Sequence, residues 1–135
     1  NLGTGDSTSQ SAGKSGTIWT FNGKVAYGAT AQSIADPGAS GAIPVLSNGV
    51  CNLTSAGAET RTLAIPTFVG QLLPICLDTD GGDCVVTVAS SVNQTGNHTI
   101  TFNDAGDTVT LVGRTVGGTH KWVLLSNDGA SLSTV

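Results

Sequence analysis

Asp78, Asp80 and Asp83 place three carboxylates within one short stretch, enough oxygen to hold a Ca²⁺ ion if a loop brought them to a point. Their order is not that of an EF-hand loop, which needs a Gly after the third ligand and a Glu further on. Asp and Gly are also the residues that tight turns require, so an acidic turn is the favoured reading, here and at Asp104 and Asp107. Gly13-Lys14-Ser15 ends like a phosphate-binding loop, but Thr8 stands where that motif needs its first Gly. His98 and His120 are the only histidines, and neither a Gly-x-Ser-x-Gly elbow nor a His-Glu-x-x-His pair accompanies them. Glu59 is the sole glutamate, so a two-carboxylate hydrolase would depend on aspartates in turns. The residues therefore point away from an enzyme, and neither a cofactor nor a metal is expected.

Cys51, Cys76 and Cys84 are an odd number, so at least one thiol stays free in each chain. Cys76 and Cys84 flank a turn-rich stretch and are the pair that could bridge across a hairpin mouth. The favoured alternative leaves all three as small buried thiols, and their spacing does not suit zinc. Trp19 and Trp122 each sit among apolar strand residues. Core or interface packing is the expectation for both, ahead of an exposed sugar-stacking platform.

The elements that would position these groups read as strands. Thr17–Phe21 and Lys24–Tyr27 flank Asn22-Gly23, a strong hairpin signal. Further strands are expected at Val50–Thr54, Thr60–Ile65, Leu72–Leu77 and Cys84–Ala89, with turn residues between them. Ile100 and Phe102 alternate with threonines, as do Val109 and Leu111, and the Asn103–Asp107 break between the two runs reads as the turn of a hairpin. With Val116–Gly129 they would make a three-strand meander closing on another turn. No apolar spacing sustains a helix beyond a single turn near residues 29–35, and no repeat of solenoid period is visible. The fold class expected is all-β, an antiparallel sandwich or barrel of eight or nine strands, jelly-roll-like by analogy.

Composition agrees. Only 10% of the 135 residues are charged, the net charge is −4, and 19 residues are glycine. Few ions are available to cover a lone surface, which favours an oligomer. Five scattered cations argue against nucleic acid as a partner, and no apolar run is long enough to span a membrane as a helix. Residues 1–16 contain a single large apolar side chain, Leu2, so this segment is expected to be an extended arm ordered only against a partner, ahead of one β domain over 17–135. The chain starts at Asn1, contains no methionine and shows no signal-peptide pattern. Either proteolytic maturation or a longer N-terminal stretch is expected to account for that start.

Residues 98–134, with Thr99-Ile100-Thr101-Phe102, Asp104-Ala105-Gly106-Asp107-Thr108-Val109-Thr110-Leu111, Val116-Gly117-Gly118 and Lys121-Trp122, resemble the C-terminal portion of small virion proteins of tailed bacteriophages. The stand-alone members of that group look like capsid decoration, or cement, proteins, and larger relatives are fibre or tail components. The shared positions are turn and strand residues, so no family site residues carry over. The resemblance implies an oligomer, with a homotrimer expected, on the outer surface of a virion capsid. It would bind the major capsid protein and stabilise contacts between shell subunits without chemistry. The arm, through Asn1, Leu2, Asp6 and Lys14, is the expected capsid contact. The alternative is a tail-fibre or tail-tip module that binds a host surface glycan.

Overall fold

The computed structural model describes residues 33–93 and 96–134, so the 1–16 arm, the 17–27 hairpin and Trp19 lie outside the described residues. Among the described residues the protein is all-β, without a helix. Its strands are β1 (Ser33–Ile34), β2 (Ala42–Ile43), β3 (Val50–Thr54), β4 (Glu59–Leu63), β5 (Leu72–Thr79), β6 (Cys84–Val88), β7 (Thr99–Phe102), β8 (Thr108–Val116), β9 (Thr119–Asp128) and β10 (Ser131–Ser133). Of the helical turn expected near residues 29–35, the described part is instead β1 and the residue after it. One sheet has the order β1-β3-β5-β8-β9 and the other β10-β7-β6-β4-β2. Their facing sides share one core in which Leu53, Ile75, Leu77, Val86, Ile100, Phe102, Leu111 and Trp122 are fully buried.

The sheets are mixed, which corrects the expectation of an antiparallel fold. From β1 to β6 successive strands alternate between the two sheets, so the chain coils three times around the core. A chain that crosses to the opposite sheet and returns must lay its next strand parallel to the last one. Accordingly β1, β3 and β5 pair in parallel, as do β2, β4 and β6. These parallel pairs depart from the hairpin-built pairing of a jelly roll. Only from β7 onward is pairing antiparallel. No sequence period announces the coils because they differ in length. Ser33 pairs with Val50 but Cys51 with Ile75, and Ala42 pairs with Thr62 but Glu59 with Cys84.

The expected 99–113 hairpin is a second correction. Ile100, Phe102, Val109 and Leu111 are all buried, as their alternation requires. Yet β7 spends its backbone hydrogen bonds on β6 and β10, and β8 spends its own on β5 and β9. A strand has two edges, so none remains for pairing β7 with β8. The Asn103–Asp107 segment is therefore an arch from one sheet to the other, and the meander reduces to the β8–β9 hairpin. Asp107 holds the arch together, its carboxylate accepting from the N–H of Asn103 (2.8 Å) and of Asp104 (3.2 Å). Gly129 lies against that carboxylate with φ +88°, and a Cβ there would stand 1.9 Å from Asp107 Oδ1. Gly129→Ala is accordingly expected to cost about 2 kcal/mol or more, by strain and by displacing the Asp107 cap. Urea unfolding of the two proteins checks it.

The same geometry decides the cysteines. Cys76 lies on β5 and Cys84 on β6, in opposite sheets, and all three thiols are free. Cys84 faces the core, whereas Cys76 alternates with the buried Ile75 and Leu77 and so faces outward, which leaves no hairpin mouth for a disulfide to close. Burial pushes the Cys51 thiol up to about 11 and raises that of Cys84 as well. An aromatic disulfide reagent should then label one thiol per native chain, Cys76, and three once the chain is unfolded in denaturant. Rapid native labelling of a second thiol would contradict this placement.

Candidate binding surface

The strand directions sort the loops into two ends. Segments 35–41, 55–58, 80–83, 103–107 and 129–130 cap one end, and 44–49, 64–71, 89–98 and 117–118 cap the other. Every carboxylate of the described residues lies at or next to the first end: Asp36, Glu59, Asp78, Asp80, Asp83, Asp104, Asp107 and Asp128. The only cation among them is Arg61. The other two described cations, Arg114 and Lys121, lie at the opposite end, as do His98 and His120.

The acidic end is a stack of arches. Ser55 N–H donates to the Thr79 carbonyl and Gly81 N–H to that of Ser55, both at 2.9 Å, while Gly106 N–H reaches the Leu77 carbonyl at 2.7 Å. The Asp80 carboxylate is occupied within its own turn, accepting from Gly82 N–H at 2.8 Å. No group of three His, Cys, Asp or Glu side chains among the described residues could hold a metal ion. Arg61 is the pin of the stack. It sits on the inner face of β4 with its side chain fully buried. Its Nε donates to Asp36 Oδ1 and its Nη1 to Glu59 Oε2, both at 2.9 Å, and its Nη2 reaches the Thr54 carbonyl at 3.1 Å. Burial alone would raise the Asp36 carboxyl, but the Arg61 guanidinium and the N–H groups of Thr54 and Gly38 outweigh it, so the pKa lies below its ordinary value. The hydrogen bond with Asp36 in turn raises that of Arg61. These groups satisfy one another, and the cluster is structural.

The opposite end is apolar. Leu46 is 85% exposed and Val69 61%, and Val50, Ile65, Phe68 and Leu72 join them. Large apolar groups gathered at one end of a chain this size are the kind of surface that partner binding uses. The loops carrying them are fixed. Gln71, buried between them, accepts through Oε1 from Thr67 N–H (2.8 Å) and donates through Nε2 to the carbonyls of Val45 (2.8 Å) and Ser47 (3.0 Å). Leu72 N–H adds a bond to Asn48 Oδ1 at 2.8 Å. A surface held this way loses little conformational freedom on docking.

Beside the apolar end runs a groove of about 480 Å³ between the β8–β9 hairpin and the segment after β6, with Arg114, Lys121, Val116, Val123 and Ser91 among its walls. Hydrogen bonds at Gly113 and Trp122 tie the two features together. Gly113 N–H bonds the Gln71 carbonyl and its own carbonyl accepts from Gly70 N–H, both at 2.8 Å. The absence of a side chain at Gly113 lets the Phe68 carbonyl sit where a Cβ would be, 2.6 Å away. Trp122, the register partner of Gly113, is fully buried and its indole N–H donates to the Ala64 carbonyl at 2.8 Å. This ring is packed as the sequence reading expected, and its burial leaves no face for a sugar to stack on.

Sequence reasoning placed its capsid contacts at Asn1, Leu2, Asp6 and Lys14, which lie outside the described residues. It missed Arg61, Gln71, and the apolar end formed by Leu46, Phe68 and Val69. Isolated exposed apolar residues in loops carry no periodic signal, and their adjacency depends on loops far apart in sequence. A scan against protein-family models finds no match, and a search of curated proteins finds none either.

Proposed function

We propose that this protein is a structural virion protein of a tailed phage, decorating the outside of the capsid as a trimer and stabilising contacts between major capsid protein subunits by binding alone. The observation that carries the reading is the apolar end, a set of large exposed side chains on loops pinned by Gln71 in a chain otherwise poor in surface ions. The likeness of residues 98–134 to small virion proteins supports the setting. In this reading the apolar end faces the shell, residues 1–16 add a second contact, and many equivalent copies sum individually modest interactions by avidity.

The experiment adds purified protein to particles stripped of it and follows attachment to heads and tails separately. Saturable attachment to heads is expected, weakened about tenfold or more by Leu46→Ser with Val69→Ser through lost apolar burial, and weakened further by deleting residues 1–16. Attachment to tail tips, or competition by host surface glycan, would replace this reading with that of a host-binding tip module.

A further inference from the structure

We propose that the groove beside the apolar end receives an extended, acidic segment of the partner protein, laid along the edge of β9 with its carboxylates between Arg114 and Lys121. The inference rests on the docking reading above and gives the partner its chemistry.

Arg114 and Lys121 are register partners on adjacent strands, so their side chains leave the same face of the β8–β9 ribbon as neighbours. Like charges directly opposite one another repel, and a fold that merely needed solvation there would have no reason to pair them. Neither makes an ion pair among the described residues, where the ion pairs are those of Arg61. Their counter-ions cannot come from the described part of the chain, because all its carboxylates lie at or next to the other end. In a protein of net charge −4 this leaves a local positive field that attracts an anion.

The backbone says what kind of anion. Gly113 turns both its N–H and its C=O toward Gly70 and Gln71, on the side away from β9. Gly113 and Trp122 are therefore a non-bonded register pair, and the N–H and C=O of Trp122 point to the outer edge of β9. Leu124, two residues on, points to the same edge, but its N–H is already taken by the Val92 carbonyl at 3.0 Å, so the stretch left for a peptide runs from Trp122 toward the β8–β9 turn. Among the described residues β9 is the last strand of its sheet. Arg114, Lys121, Val116 and Val123 share the outer face of the ribbon, and with the backbone donor and acceptor at Trp122 they fit a strand-like peptide that turns its acidic side chains to that face and its intervening residues to the other. The Trp122 ring, being buried, gives a saccharide no face to stack on in the groove.

The test titrates the isolated protein, in low salt, with the blocked peptide Glu-Val-Glu-Val-Glu and with its Gln-Val-Gln-Val-Gln counterpart, reading amide and guanidinium resonances by NMR. The acidic peptide is expected to shift the amides of residues 121–123 and the Arg114 side chain. Its affinity should fall about tenfold in Arg114→Gln with Lys121→Gln and on raising salt, because the contacts are charge-assisted. The neutral peptide should bind at least tenfold more weakly. Equal binding of both peptides, shifts mapping away from the groove, or a sulfated oligosaccharide that binds there while the acidic peptide does not, would overturn the proposal. The double variant is also assayed for attachment to stripped heads. If the peptide occupies the groove but the protein ignores heads, the groove assignment stands and the decoration reading falls. If heads bind wild type and double variant alike and the peptide misses the groove, the assignment falls and the decoration reading stands.

Discussion

Replacing Trp122 by Ala is expected to lower the unfolding free energy by about 3 to 5 kcal/mol, measured by urea denaturation with far-ultraviolet circular dichroism. The ring is fully buried in the core and is the largest side chain there. Its removal opens a cavity where the Gly113 backbone and the 64–70 segment meet, a place with no adjacent side chain at Gly113 to collapse into it. The indole N–H also closes a bond to the Ala64 carbonyl across 58 residues of sequence. Trp122→Phe separates the two contributions. It keeps much of the apolar volume and leaves that carbonyl unpaired, a cost of about 1 to 3 kcal/mol. A loss below about 1 kcal/mol for Trp122→Ala would mean that the ring is not a core residue. On the proposed function, variant particles lose the protein and become heat-fragile while adsorbing to host cells at the normal rate. Normal heat survival with failed adsorption would sink the decoration reading.

Arg61→Met should also be damaging, by about 2 to 3 kcal/mol at neutral pH, because it leaves the half-buried Asp36 carboxylate without its partner and opens a void on the inner face of β4. The pH dependence carries the sign. In the wild type the Asp36 pKa is depressed below its ordinary 3.8, so its contribution to stability is fully present above that value. It is lost as pH falls through the lower folded value. Without Arg61 only the Thr54 and Gly38 N–H groups oppose burial, so the Asp36 pKa rises from its wild-type value. The variant's deficit should therefore shrink as pH falls below about 5, through the carboxylate range. Urea midpoints at a series of pH values for the two proteins check this, and a deficit constant across that range would show that the Arg61–Asp36 pair contributes nothing to linkage.

The two substitutions probe opposite ends of one design. Arg61 ties the first two coils together at the acidic end through Asp36 and the Thr54 carbonyl. Trp122 does the corresponding work at the apolar end, joining β9 to the loop after β4. Both reach across segments distant in the chain, and neither partner could have been named from local pattern. Arg61 in particular reads in the sequence as one more scattered cation. Its place on an inward-facing β4 position, between Glu59 and Leu63, became meaningful only once Asp36 was folded against it.

The amino-acid sequence by itself determined that this protein is all-β, where most strands lie, and which side chains turn inward. Val50–Thr54 is a strand over the expected residues, and Ile100, Phe102, Val109 and Leu111 are buried as their alternation requires. The reason is that a period of two and the turn residues between runs are local properties. Tertiary structure alone decided which strands are neighbours. A hairpin and an arch place the same buried residues at the same positions and use the same Asn, Asp and Gly in the connection; they differ only in whether the two strands bond each other or face each other across the core. That choice is made by competition for backbone edges among β5, β6, β8, β9 and β10. Its outcome reduced the expected meander to the β8–β9 hairpin, separated Cys76 from Cys84, and gathered the carboxylates at one end and Leu46, Phe68, Val69, Arg114 and Lys121 at the other.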